Sequence, residues 1–135
     1  AAFASRASDC LAQYSSAFED KADFRWGADA YGGERNVTAY ESAGDLSDGG
    51  AWTSSMTKVV YSAGGYVVDL PVTSLEAALA TATELESGGW IDGATRALFL
   101  EVSFYNPNQD QFIHSLLAVE ALATGAFVAT AEVNS

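Results

Sequence analysis

Six lysines plus arginines, one histidine, one cysteine and two prolines are all that 135 residues contain of those types, and each scarcity closes off a class of function. Eighteen acids against six bases leave a formal net charge of −12, a field that repels a phosphate backbone and an anionic bilayer alike. Nucleic acid is therefore not an expected partner. One cysteine and one histidine are too few for a closed zinc site. The single histidine, His114, falls within a predicted strand and reads as a packed or surface side chain. No serine has the setting of a nucleophile elbow. The pairs Gly64-Gly65 and Gly88-Gly89 read as turn and cap signals, not as a phosphate-binding loop followed by a helix. No apolar run approaches the roughly 20 residues of a membrane-spanning helix. The opening AAFASRASDC lacks the apolar centre of a signal peptide. The chain reads as a soluble domain, complete or cut from something larger.

What is present is globular. Hydrophobic residues make up 49% of the chain, with three tryptophans, enough to exclude a disordered segment. The length suits one domain, residues 1–135. The acidity fits cations or a basic protein partner, or serves solubility alone. Cys10 is either a free thiol or half of a disulfide whose partner lies upstream. Asn36-Val37-Thr38 is an N-glycosylation acceptor and would mark an exposed loop of a secreted or luminal domain. Asp45 and Asp48 before Gly49 lack a calcium-loop pattern and read as a solvated turn.

The chain divides into a helix- and loop-rich extension, residues 1–50, and a sheet-and-helix core, residues 51–130. Leu11, Tyr14 and Phe18 fall at helical spacing, so a short helix is predicted from Ser8 to Phe18. Residues 27–50 are turn-rich, with a brief hairpin around Val37 to Tyr40, and such a stretch within a compact domain is expected to be functional or braced. A strand is predicted over Trp52 to Ser62, a turn at Gly64-Gly65 and a second strand over Tyr66 to Leu70. Thr73 and Glu76 form a capping-box pattern. Leu75, Ala78, Leu79, Ala82 and Leu85 mark one helical face, and Gly88-Gly89 ends the helix.

From Arg96, alternate positions Leu98, Leu100, Val102 and Phe104 form an apolar face, opposite a mixed face that includes Phe99, Glu101 and Tyr105. A turn at Asn106-Pro107-Asn108 leads into a strand over Gln111 to Leu122, where Ile113, Leu117, Val119 and Ala121 share a face with Ser115. The expected fold is α+β, an antiparallel sheet flanked by α-helices on one face, with a long loop-rich N-terminal extension. Glu101 and Glu120 lie in strands expected to be mostly buried, and a buried acid needs a partner. With so few bases, a structural ion pair is a better reading than a catalytic carboxylate pair, and Arg96 is expected to make either an ion pair or a backbone-carbonyl contact.

The run GGYVVDL at 64–70, WIDGATRALFLEVSFYNPNQDQF at 90–112 and ATG at 123–125 resembles the polycystin domain. That domain is the extracellular or luminal insertion between the first two transmembrane helices of polycystin (TRPP) channels. Trp90, Asp92, Thr95, Arg96, Ala97, Phe99, Tyr105, Asn106 and Asn108 match the family's central motif, and the likeness is strong over residues 52–125. Gly93-Ala94 departs from the usual Arg-Gly. The tail AFVATAEV lacks the aromatic exit of animal polycystin-2-type chains, leaving the subfamily open. Arg35-Asn36-Val37-Thr38-Ala39 sits where such chains carry a glycosylated segment, and Cys10 resembles the second cysteine of the family's loop disulfide.

The resemblance implies a lid over the pore of a tetrameric, nonselective, calcium-permeable cation channel, with no cofactor and no enzymatic activity. Its partners would be other subunits of the same channel and the cations at the pore entrance. An isolated copy is expected to stay monomeric. The family places such a domain in a ciliary, plasma or endoplasmic reticulum membrane. The alternatives are the equivalent domain of a polycystin-1-type receptor, and a secreted adhesion or glycan-binding module using exposed Trp and Tyr for stacking.

Overall fold

The computed structural model describes residues 12–23, 38–42 and 50–135. Cys10, Asn36, Asp45, Asp48, Val37 and most of the 27–50 segment lie outside the described residues. Of the helix expected over Ser8 to Phe18, the described part contains one 3-10 turn, Ser16–Phe18, capped by Ser15. Among the described residues there are two antiparallel sheets and one α-helix. The fold is α+β and mostly sheet. Packing groups the chain into two compact units, one of Ala1–Tyr14, Ser54–Val59 and Gly93–Ser135, the other of Ser15–Thr53 and Val60–Asp92.

The first unit is built on a three-stranded sheet in the order β3-β4-β5, with β3 at Ala97–Asn106, β4 at Gln111–Ala121 and β5 at Phe127–Asn134. The turn between β3 and β4 forms where the Asn-Pro-Asn signal requires it. Asn106 Oδ1 accepts the Asn108 N–H at 3.1 Å, and Asp110 takes a left-handed φ of 48°. Asparagine side chains close such turns by mimicking a backbone carbonyl. The third strand, β5, is not among the elements expected from the sequence. Its entry turn is clear in the structure: Gly125 adopts φ 84°, and Leu122 donates to the Ala126 carbonyl at 2.9 Å.

Register decides the faces. Leu98, Leu100, Val102 and Phe104 lie opposite Val119, Leu117, Ser115 and Ile113, so the expected apolar stripe is continuous across two strands. Ala129, Ala131 and Val133 of β5 extend it. The stripe is not the buried side. Phe104, Phe127 and Val133 are 56%, 68% and 69% exposed. The buried residues of the sheet, Ala118 and Glu120, belong to the mixed face, because the turn Ser54–Val59 closes over that end with hydroxyls that satisfy the acid. Glu101, on the same face, is exposed, contrary to the expectation of burial.

In the second unit, the strand expected over Trp52 to Ser62 is a hairpin instead. Trp52–Thr53 (β1) pairs antiparallel with Val60–Tyr61 (β2), and the Trp52 and Tyr61 rings stack at 6.0 Å. In the turn between these strands, which groups with the first unit, the hydroxyls of Ser54 and Thr57 accept the backbone N–H groups of Thr57 and Val59 at 3.0 and 3.3 Å. Such local bonds compete with the sheet ladder. No strand forms at 66–70. Gly65 pairs instead with Glu41, exchanging two backbone hydrogen bonds of 2.8 and 3.0 Å.

The helix, α1 at Leu75–Gly88, begins one residue later than the capping-box pattern indicates. Ser74, not Thr73, is the N-cap, its Oγ accepting the Ala77 N–H at 3.1 Å. Gly89 ends it at φ 74°, with the Trp90 N–H returning to the Leu85 carbonyl at 3.0 Å, the closure a glycine permits because it has no Cβ. The inward side is also rotated from the expected one. Leu85 is buried and Ala77, Ala78 and Thr81 are half-buried, whereas Leu75 and Leu79 are exposed. Replacing the cap, Ser74→Ala, is expected to lower unfolding free energy by about 1 kcal/mol in denaturant titration; an unchanged midpoint would show that the cap is not needed.

Candidate functional site

The motif residues do not converge on one cleft. They are distributed along the β3–β4 hairpin and its approach, each with a local role. Trp90 is half-buried and closes the helix end, and Asp92 is exposed beyond it. Thr95 and Phe99 are half-buried, Phe99 lying opposite the buried Ala118. Asn106 holds the hairpin turn. Tyr105 lies opposite Phe112, with ring centroids 4.7 Å apart, and its hydroxyl donates to Asp110 Oδ1 at 2.9 Å. That bond to a carboxylate, followed by desolvation, pushes the Tyr105 phenol above its ordinary value.

Arg96 is the structural centre of the motif. Its guanidinium donates to the carbonyls of Gly93, Ala94 and Ala121, while its own carbonyl accepts the Ala121 N–H at 2.8 Å. A planar fork with several donors suits this clamp, which a lysine cannot reproduce. Of the two contacts expected of Arg96, an ion pair or a bond to backbone carbonyls, the structure shows the carbonyl bonds. Glu101 instead faces His114 at 3.7 Å, both exposed.

Glu120 is fully buried, as is Ser54. Ser54 Oγ donates to Glu120 Oε2 at 2.6 Å and Thr57 Oγ1 donates to Oε1 at 2.7 Å. Hydrogen bonds this short to a carboxylate are the charge-assisted kind. Sequence reasoning singled out the acid but missed its partners, since nothing local links positions 54 and 57 to position 120.

A second cluster ties residues 19–22 and 38–42 to the chain after β2. Glu19 accepts the hydroxyls of Ser62 and Tyr40 at 2.7 and 3.2 Å, and Lys21 lies 3.5 Å from it and 5.2 Å from the Tyr40 ring centre. Tyr40 meets Tyr66 edge to face. The Tyr66 hydroxyl donates to the Ala22 carbonyl at 2.7 Å. Burial, then the negative charge of Asp20 and Asp23, raises the Tyr66 phenol above its ordinary value. It therefore remains a donor at any pH below that value.

Among the described residues, no three acids, histidines or cysteines gather as a metal-holding group, and no helix is long and apolar enough to cross a membrane. The arrangement is a scaffold with buried polar clamps.

Comparison with known proteins agrees with the motif. The sequence profile of the polycystin domain matches residues 1–135. Polycystin-2 of Danio rerio is 38% identical over 122 residues, covering 89% of this chain and 12% of the relative. Polycystin-2 of Caenorhabditis elegans is 33% identical over 125 residues, covering 90% of this chain and 16% of the relative. Polycystin-1-like protein 3 of Mus musculus is 35% identical over 75 residues, covering 56% of this chain and 3% of the relative. The chain thus spans less than a fifth of the length of these relatives. With the profile matched from end to end and the Trp90–Asn106 motif built into a hairpin, this chain belongs to the polycystin domain family.

Proposed function

We propose that this chain is the extracellular or luminal lid of a polycystin-type tetrameric, nonselective, calcium-permeable cation channel, joining subunits and shaping the outer pore entrance. The profile match over the whole chain carries this reading. Two physical features support it. A sheet face with Phe104, Phe127 and Val133 more than half exposed suits a piece of a larger protein better than a free-standing module. A charge of −12 per chain, about −48 for four copies, would concentrate cations where the domains surround an entrance.

The test is single-channel recording from the full-length protein with Asp29, Glu34, Glu41, Asp45 and Asp48 neutralised to Asn or Gln. Cation current should fall most at low ionic strength, because a Debye length of about 8 Å screens the effect at physiological salt. Current equal to wild type at low salt would remove the electrostatic role and leave a structural lid. In the same reading, Cys10 pairs with an upstream cysteine and Asn36 carries glycan. Intact mass of the secreted, extended chain showing a free thiol and a bare Asn36 would count against both.

The match to a polycystin-1-like protein favours a second reading, the equivalent domain of a polycystin-1-type receptor subunit. Full-length protein that passes current when expressed alone would argue against it.

A further inference from the structure

We infer that the uncharged face of the three-stranded sheet receives helix α1 of a neighbouring copy of this chain, so that sheet and helix join successive subunits. The inference deepens the lid reading and rests on it, naming the two surfaces through which subunits meet.

The charges of the sheet are sorted by side. Glu101, His114, Glu120 and Glu132 all stand on the mixed face. The opposite face, which runs from Leu98 to Phe104 on β3, carries no charged residue on any of its three strands. Leu100 and Leu117 at its centre and Phe127 and Val133 at its rim are exposed. A contiguous apolar patch of this kind marks a surface that a partner covers.

Charge and symmetry select a second copy, and α1 within it. Two chains of net charge −12 repel wherever acids face acids. α1 exposes Leu75 and Leu79, with Val72 just ahead of it, but the exposed Glu76 and Glu86 flank that stripe. Paired with its own equivalent, the stripe would bring those acids together. Laid on the sheet face it meets no charge, and the acids at its sides stay in water. A helix against the apolar face of an antiparallel sheet is also the ordinary packing of α+β layers. The two patches are unlike, so their contact runs head to tail and repeats from copy to copy until a ring closes. Sheet face on sheet face would stop at two copies.

Area sets the strength of this contact. With 14 residues, α1 is about 21 Å long and about 10 Å wide, a footprint of roughly 200 Å². Lasting association of free proteins takes about 800 Å² from each partner. The contact therefore forms where the rest of the protein already holds the copies close, and an isolated domain stays monomeric.

Cysteine cross-linking in the full-length protein tests this. Two differently tagged chains are co-expressed, one with Leu79→Cys and the other with Leu100→Cys, Leu117→Cys or Ala131→Cys in turn. Those three positions form one row across the sheet, which a helix lying along the strands must cross. Because the cysteines are on separate chains, only a contact between copies can join them, and a disulfide needs Cα atoms within about 7 Å. Mild oxidation should give a covalent pair carrying both tags for at least one of the three, about tenfold above the pairs formed by wild-type chains. Adding Leu117→Asp to the sheet-face chain sets an acid beneath α1. It should remove most of the cross-link made through position 100 or 131.

Assembled tetramers that give no mixed-tag pair at any of the three positions would overturn the inference and leave the lid reading standing. Pairs formed equally well between two sheet-face cysteines would overturn it too, as would a yield indifferent to Leu117→Asp. Full-length protein that forms no tetramer would instead remove the lid reading, and this inference with it.

Discussion

Arg96→Ala is expected to lower the unfolding free energy by about 3 kcal/mol, the upper range for hydrogen bonds made by a charged group. The half-buried guanidinium clamps the approach to β3 against the end of β4 through the carbonyls of Gly93, Ala94 and Ala121. Truncation removes the donors and leaves those carbonyls to find water. Arg96→Lys keeps the charge but loses the planar fork, and should recover less than half of the loss. Denaturant titration of the two variants beside wild type measures both effects. A midpoint for Arg96→Ala equal to wild type would mean that the clamp contributes nothing, and equal stability of Lys and Arg would mean that charge alone matters.

Gly64→Ala should cost about 2 kcal/mol, in the range for inserting atoms where no space exists. A Cβ at position 64 would meet the Tyr40 hydroxyl, and would lie 2.7 Å from the Tyr40 ring carbon Cζ and 2.8 Å from the Glu41 carbonyl oxygen. Tyr40 cannot move freely, because its hydroxyl is held by Glu19 and its ring by Tyr66 and Lys21. The Glu41 carbonyl is fixed by its bond to the Gly65 N–H. Gly65→Ala is the internal control. Its Cβ would meet nothing within 4 Å, so the change should stay within about 0.5 kcal/mol. Equal stability of the two variants would show that the close approach at Gly64 is not required. A loss in Gly65→Ala as large as that in Gly64→Ala would trace the effect to backbone freedom rather than to space.

Those two glycines show where local reading ends. As a pair they carry a turn signal, and a hairpin into Tyr66–Leu70 is the natural expectation. In the structure Gly64 instead lets a segment some 24 residues upstream approach the backbone, while Gly65 bonds to that segment through its own backbone. Nothing near position 64 encodes that approach, because the partner is distant in sequence and the requirement is only for missing volume.

The hairpin of β3 and β4 is the opposite case. Period-two alternation, the Asn-Pro-Asn turn and the order of motif residues are local properties, and they make the two strands, their turn and the family legible from the sequence alone. The cap region of α1 is nearly as legible, wrong by one residue because Thr73 and Ser74 are both good caps and only the backbone φ and ψ at Ser74 choose between them.

Which sheet face is buried could not be read from pattern. Hydrophobic alternation says that two faces differ, and the apolar one is ordinarily the inner one. Here the inner end is the mixed face, because the hydroxyls of Ser54 and Thr57 reach across 66 and 63 residues to Glu120 and make a buried acid tolerable there. The hairpin, the helix, the acidic surface and the polycystin resemblance are all legible in the residues alone, since each rests on positions close together in the chain. The hydroxyls that reach Glu120, the carbonyl of Ala121 that reaches Arg96 and the use of Gly64 come from folding, since each depends on atoms that meet only after distant segments have packed.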